Sequence, residues 1–214
     1  MKKKYNMYAF ENKYRLKGYK SIVGLDEAGR GSWAGPLVVA AVSLPLNYHN
    51  DKINDSKQLS LKQREELFSQ ICKIAEDYSI IFIDSNQVSD LNPKQASING
   101  MKQALEELKI KKPCMALVDA EKIESKIENK SIVKGDEKSI SIAAASILAK
   151  VSRDRFMVKM DKIYPQYHFA KHKGYGTIDH LKMLRKYGPI KNFHRFSYKP
   201  IQKILKTLHK TKII

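Results

Sequence analysis

Hydrophobic positions along the chain fall into two periodicities, one of strands and one of helices. Residues 21–25 (SIVGL) and 36–44 (PLVVAAVSL) are short, nearly continuous apolar runs rich in β-branched residues, separated by a glycine-rich turn, and they predict two strands with a tight connection. A helix comes next: Ser60 with Gln63 three residues on has the capping-box pattern, and Leu67, Phe68, Ile71, Ile74 and Ala75 recur on one helical face. YSIIFI (78–83) predicts a third strand. Asn92-Pro93 opens another helix, with Ile98, Met101, Leu105 and Leu108 at helical spacing until Lys111 and Pro113 end it. CMALVD (114–119) predicts a strand, SIVKG (131–135) a short one, and residues 139–164 a long helix that is alanine-rich through AAASILAKV. Two basic helices, near 178–187 and 200–214, end the chain, whereas the first twenty or so residues read as a basic, polar segment. Strands that cluster early and later alternate with helices predict an α/β fold, a mixed sheet with helices against its faces.

At 214 residues the chain is long enough for one sizeable core, and a single domain over 1–214 is expected, with about 178–214 forming a helical C-terminal portion. A hydrophobic fraction of 43% and a charged fraction of 29% exclude a disordered or fibrous chain. The charge is more informative. Lys and Arg number 40 against 22 Asp and Glu, a net +18 with an isoelectric point near 9.7, which favours a polyanionic partner such as nucleic acid. Cys72 and Cys114 stand far apart without metal-ligand spacing, so they read as small apolar residues rather than a disulfide or zinc site. No apolar run has the length of a signal peptide core or a membrane helix, and a cytoplasmic protein with no membrane contact is the expectation.

Candidate chemistry lies at the ends of these elements. Asp26 and Glu27 are adjacent at the expected end of the first strand, just before Ala-Gly-Arg-Gly. Successive strand residues point to opposite faces, so both carboxylates address one site only if the strand ends or bends there, which Gly29 and Gly31 would permit. Asp119 ends the strand CMALVD, and Asp136 follows Val133-Lys134-Gly135 ahead of the long helix. Singly, each acid could be a solvated strand end, a turn residue or a helix cap. Together, four acids at the ends of strands and helices of one sheet suit hard divalent cations, magnesium or manganese. The stretch 167–177 (YHFAKHKGYGT) interleaves aromatics with cations, a pattern of nucleic-acid surfaces that an ordinary basic loop also shows. Lys150, Arg153, Asp154 and Arg155 read as a charge network on a helix surface, and Ser146 as a packing residue rather than a nucleophile.

Five segments in order, GLDEAGRGSWAGP (24–36), NDSKQLS (54–60), LVDA (117–120), VKGDEKSISIAAASILAKVSRDR (133–155) and HKGYGT (172–177), resemble the successive blocks of the ribonuclease HII family (type 2 ribonuclease H). The resemblance spans most of the chain and implies a ribonuclease H-like fold: a mixed sheet flanked by helices, with a helical C-terminal portion. It implies an endoribonuclease that cuts the RNA strand of RNA–DNA hybrids and incises at single ribonucleotides embedded in DNA. Asp26, Glu27, Asp119 and Asp136 would be the catalytic carboxylates, holding two Mg²⁺ or Mn²⁺ ions. Gly29, Arg30 and Gly31 would hold the ribonucleotide through its 2′-hydroxyl, Tyr175 would stack on the sugar at the RNA-to-DNA junction, and Lys57 would contact phosphate. A replication clamp is a further partner the resemblance allows, and nothing requires more than a monomer. Two departures stand out: Ala120, where the family more often has Gly, and the bulky Trp33 within the first block. The type 3 enzymes, similar in fold, usually carry Ser where Ala28 stands and an additional N-terminal domain, and the chain is closer to type 2.

Overall fold

The computed structural model describes residues 6–53, 59–110 and 114–211, with side chains as far as Leu208. Helix α1 (Ala9–Leu16) precedes strands β1 (Ser21–Ala28) and β2 (Leu37–Ser43). Helix α2 (Leu61–Ile74) leads to β3 (Asp77–Ile83), followed by α3 (Ser85–Leu91), α4 (Pro93–Glu106), β4 (Cys114–Asp119) and β5 (Glu128–Ile132). A 3-10 turn (Gly135–Glu137) then opens onto α5 (Ile140–Ile163), the short α6 (Phe169–His172), α7 (Ile178–Tyr187) and α8 (Lys199–Thr211). The five strands form one sheet in the order β3-β2-β1-β4-β5, with β1 antiparallel to β2 and parallel to β4, and β4 parallel to β5. This is the expected mixed α/β sheet.

The chain divides into two compact units, Met1–Ala28, Val38–Ile81 and Ile98–Val151 forming the first, and Gly29–Leu37, Phe82–Ser97 and Ser152–Ile214 the second. In the first, alternate residues of β1 and β2, Ala28, Val38, Ala40 and Val42, pack with α5 residues Ala143, Ala144, Ile147 and Leu148, while Leu67 and Ile71 of α2 join the same core. The alanine run of α5 has a steric reason. A Cβ on Gly24 would lie 2.0 Å from the carbonyl carbon of Ser141 and 2.4 Å from the Ile142 nitrogen, so the helix backbone presses directly onto β1. In the second unit, Phe169, Tyr167, Phe193, Met157, Leu184, Ile201 and Ile204 make a core of their own.

Several details differ from the sequence expectation, each for a local reason. Helix α1 falls within the segment read only as basic and polar; Tyr14 joins Ile22, Met115 and Ile142 in a core, and Glu11 accepts hydrogen bonds from the Ser139 hydroxyl (2.6 Å) and the Ser141 amide (3.0 Å) at the start of α5. Strand β5 is Glu128–Ile132 rather than 131–135, because Lys134 takes a left-handed conformation (φ 54°) and ends the extended run, with Val133 left 68% exposed. As a largely polar edge strand, ENKSI carries little apolar signal. Helix α3 was absent from the hydrophobic pattern and is set by a capping box, Asp84 with Gln87. The capping box read at Ser60 and Gln63 is present. α4 ends at Glu106, before Leu108, and α8 ends at Thr211. Cys72 and Cys114 are unbridged thiols, and no helix among the described residues is long and apolar enough to cross a membrane.

Replacing Gly24 with Ala should therefore cost about 3 kcal/mol, the upper end of ordinary overpacking, because the new methyl group meets backbone that cannot rotate away. Urea unfolding monitored by circular dichroism measures it; a loss under about 0.5 kcal/mol would contradict this packing.

Candidate active site

The first unit carries all four of the expected acids. Asp26 on β1 and Asp119 on β4 each lie one residue past Leu25 and Val118, the last paired residues of two adjacent parallel strands, so the register brings them side by side. Asp119 ends β4, and its Oδ1 accepts the Gly135 amide at 2.6 Å. Asp136 is the next residue, buried in the 3-10 turn that precedes α5. Ala120 follows Asp119 at φ 51°, a left-handed conformation that glycine adopts without strain, which supplies the physical reason for glycine at this position.

The sequence expectation that β1 ends or bends between Asp26 and Glu27 is corrected. The strand continues through Ala28, with Asp26 opposite Ala40, Glu27 opposite Val39 and Ala28 opposite Val38, so the two side chains depart on alternate sides of the pleat. Glu27 still acts on Asp26 through its charge. Burial pushes the Asp26 carboxyl well above its ordinary value of 3.8, and the charges of Glu27 and Asp119 push it further, opposed by hydrogen bonds from the Ser146 hydroxyl and the Glu27 amide (2.7 Å to Oδ1). Ser146 thus has a polar duty that its small size in an apolar run concealed. Among the described residues, no three His, Cys, Asp or Glu side chains form a ready-made metal cage. The donor set nevertheless fits a hard divalent ion: it offers only carboxylate oxygens, and a cation would relieve the repulsion that raises Asp26.

The second unit holds the remaining candidates. Gly29 (φ 90°) begins a turn whose carbonyl accepts from the Ser32 hydroxyl at 2.7 Å, and a Cβ there would fall 1.9 Å from the Arg153 Nε. Gly31 faces open space. Arg153 is not part of a surface charge network; it is 0% exposed, and Asp154 is buried as well. Its guanidinium donates to the carbonyls of Pro36 (2.8 Å), Lys173 (2.9 Å) and Ala34 (3.1 Å) and to the Ser32 hydroxyl (2.7 Å), and it lies 5.2 Å from the centre of the half-buried Tyr175 ring. Burial lowers it to about 10, with the neighbouring Tyr175 acting in the opposite direction, so it stays charged at neutral pH. Arg195, equally buried, donates to the Arg30 carbonyl (2.9 Å), to Gly35 and to the Tyr198 hydroxyl. These two arginines fix the Gly-Arg-Gly turn and the HKGYGT loop from beneath. The signal for Arg153 was present: it falls four residues from Ala149 and four from Met157, on a stripe of buried positions. Trp33 donates its amide to the Gly174 carbonyl (2.8 Å) and sets its ring 5.6 Å from His180, so the bulky departure belongs to the packing of this unit. Lys57 lies outside the described residues.

A family model for ribonuclease HII matches residues 23–201. The chain belongs to the ribonuclease HII family. A ribonuclease HII of Mycoplasma mycoides subsp. mycoides SC is 53% identical over 185 residues, covering 86% of this chain and 88% of that relative. Among solved structures, ribonuclease H2 from Pyrococcus horikoshii OT3 matches with a TM-score of 0.77 at 27% identity, over 89% of this chain and 99% of that one. A complex of PCNA with ribonuclease HII from Archaeoglobus fulgidus matches with a TM-score of 0.68 at 27% identity, over 84% and 95%. The fold is therefore the ribonuclease H-like one, and the activity is that of ribonuclease HII, cleavage of RNA in RNA–DNA hybrids and at ribonucleotides embedded in DNA.

The electrostatics make a prediction for the metal-free enzyme. With the folded value of Asp26 raised above its unfolded one, the folded state holds that proton more tightly; stability from this group is highest at acid pH and declines as pH rises from about 4 through the raised folded value. Asp26→Asn should accordingly raise the melting temperature in EDTA at pH 7.5, and the gain should shrink towards pH 4. A variant that melts lower than wild type at pH 7.5 would contradict the strained carboxylate.

Proposed function

We propose that Asp26, Glu27, Asp119 and Asp136 are the catalytic carboxylates of this ribonuclease HII, with Asp26, Asp119 and Asp136 chiefly holding two Mg²⁺ or Mn²⁺ ions and Glu27, on the alternate side of the pleat, assisting through its charge. The observation that carries the reading is the buried Asp26, raised by Glu27 and Asp119 and placed beside Asp119 by strand register. Divalent ions held there would lower the pKa of an attacking water and stabilise the departing 3′-oxygen, giving a 3′-hydroxyl and a 5′-phosphate. Asp26 and Asp119 supply the negative oxygens. Ser146 and the Gly135 amide hold them in orientation, as second-layer partners do around metal ligands. Asp136 brings a further carboxylate next to the Asp119 anchor.

In this reading Gly29, Arg30 and Gly31 recognise the 2′-hydroxyl, which alone separates ribose from deoxyribose. Main-chain groups of a turn fixed by Ser32 and Arg195 suit that role, since they are preorganised before substrate arrives. Tyr175 stacks on the sugar at the junction, and Lys57 contacts phosphate. The net charge of +18 would supply most of the affinity without reading sequence. A sliding clamp is proposed as a partner on the strength of the Archaeoglobus complex with PCNA. Monomeric action in the cytoplasm, as a single domain, completes the reading.

With Mg²⁺, the enzyme should incise a DNA duplex bearing one ribonucleotide, on its 5′ side, and leave an all-DNA duplex intact; cutting of both would point to a less specific nuclease of the same fold. Asp26→Asn and Asp119→Asn should each lower kcat by roughly 10²–10³-fold or more. Unimpaired cleavage by either variant would remove that residue from the metal site. Tyr175→Ala should reduce cleavage at a single ribonucleotide at least about tenfold more than cleavage of a long hybrid, the scale on which small misplacements act. Equal losses on both substrates would end its junction role. Raising salt from 50 to 200 mM should weaken binding by orders of magnitude, as for any protein that neutralises several phosphates.

A further inference from the structure

Three histidines of the second unit are buried, and the metal chemistry uses none of them. His172, His180 and His194 are at most 7% exposed, and they sit among Tyr167, Phe169 and Phe193. Their hydrogen bonds fix every tautomer. The Ile190 amide can only donate, so His194 accepts it at Nδ1 (2.9 Å) and carries its proton on Nε2. The Tyr175 carbonyl can only accept, so His180 carries its proton on Nδ1 (3.0 Å) and presents a bare Nε2. Those two Nε2 atoms lie 3.1 Å apart, one with a proton and the other with a lone pair, so His194 donates to His180. His172 stacks on His180 with centroids 4.4 Å apart and planes 14° from parallel. It accepts the Gly174 amide at Nδ1 (3.1 Å) and donates from Nε2 to the Tyr167 carbonyl (2.7 Å).

We infer that His180 and His194 are positioning residues for Tyr175: a chain of neutral imidazoles from the Ile190 amide to the Tyr175 carbonyl sets where that ring stands, and with it the discrimination between single ribonucleotides and long hybrids. The inference rests on the junction role of Tyr175 given above. The loop is gripped from both sides, His172 holding the amide of Gly174 and His180 the carbonyl of Tyr175, so two successive residues are tied to one stacked imidazole pair. Arg153 supports the ring from another direction. The arrangement needs neutral rings, because a second proton on either member of the His180–His194 pair would set two N–H groups head to head. Burial first, and then the neighbouring imidazole, lowers His180 to about 4 and His194 to about 3, so both are neutral wherever the enzyme works.

Two substitutions separate positioning from simple packing. His194→Asn keeps an acceptor for the Ile190 amide at the Nδ1 position but leaves no donor for His180; His194→Gln offers an N–H at the Nε2 position. His194→Asn should lower kcat at a single ribonucleotide roughly tenfold relative to a long hybrid, in the range seen when an orienting partner is lost, with His194→Gln recovering to within about threefold of wild type. In a Tyr175→Ala background, His194→Asn should add no further selective loss. Independently of activity, ¹⁵N–¹H correlation of the wild-type imidazoles should show the Nδ1–H tautomer for His180 and the Nε2–H tautomer for His194. If Tyr175→Ala is selective but His194→Asn lowers both substrates equally, or if the tautomers are reversed, the relay is overturned and the Tyr175 reading survives. If Tyr175→Ala is itself unselective, the junction role fails and the relay's function falls with it.

Discussion

A carboxylate whose charge burial disfavours organises the first unit of this enzyme. Asp26 is excluded from water on β1, beside Asp119 on the neighbouring parallel strand and next in sequence to Glu27, and all three influences disfavour its charge. The fold tolerates it by supplying hydrogen bonds from Ser146 and from the Glu27 amide. Two features serve that placement. A residue without a side chain at Gly24 lets α5 approach β1 closely enough for Ser146 to reach the carboxylate, and the left-handed turn at Ala120 leads the chain away just after Asp119. A cation at the proposed site would relieve the like-charge repulsion that raises Asp26, so the same repulsion would contribute affinity for metal.

The second unit solves a different problem, the rigidity of loops. Residues 29–36 and the HKGYGT segment contain little regular structure, and the sugar recognition proposed for them requires that they be held. Two buried guanidiniums do this by donating to main-chain carbonyls and hydroxyls, with three neutral histidines beneath the second loop. Buried polar networks of this sort specify one conformation when every member is satisfied. In the proposed reading, recognition would rest on backbone groups that these buried side chains hold in place before substrate arrives.

Much of the architecture was legible in the sequence. Continuous apolar runs marked β1, β2 and β4, because strands buried on both faces leave no alternation to obscure them. The long α5 was legible from its alanines, and α2 from its cap. Elements on the periphery were not: α1 is held by a few aromatic contacts and the Glu11 hydrogen bonds, α3 by its capping box, and β5 is a polar edge. Among the site residues, the acids were visible by type and position, but the path of β1 through Asp26 and Glu27 was not, since pairing with β2 keeps the strand extended past the acids. Ser146, His180 and His194 were hidden for a shared reason, whereas Arg153 could have been found from its stripe of buried positions. A polar residue in an apolar stretch is ambiguous in sequence between solvent exposure and buried service, and only packing distinguishes the two.

The claim that most else depends on is that Asp26 and Asp119 grip the same divalent ion, and anomalous diffraction from crystals grown or soaked with Mn²⁺ tests it most directly. An anomalous peak is expected within coordination distance, about 2.2 Å, of carboxylate oxygens of both Asp26 and Asp119. Manganese bound elsewhere on the protein, with no peak in reach of Asp26, would contradict it.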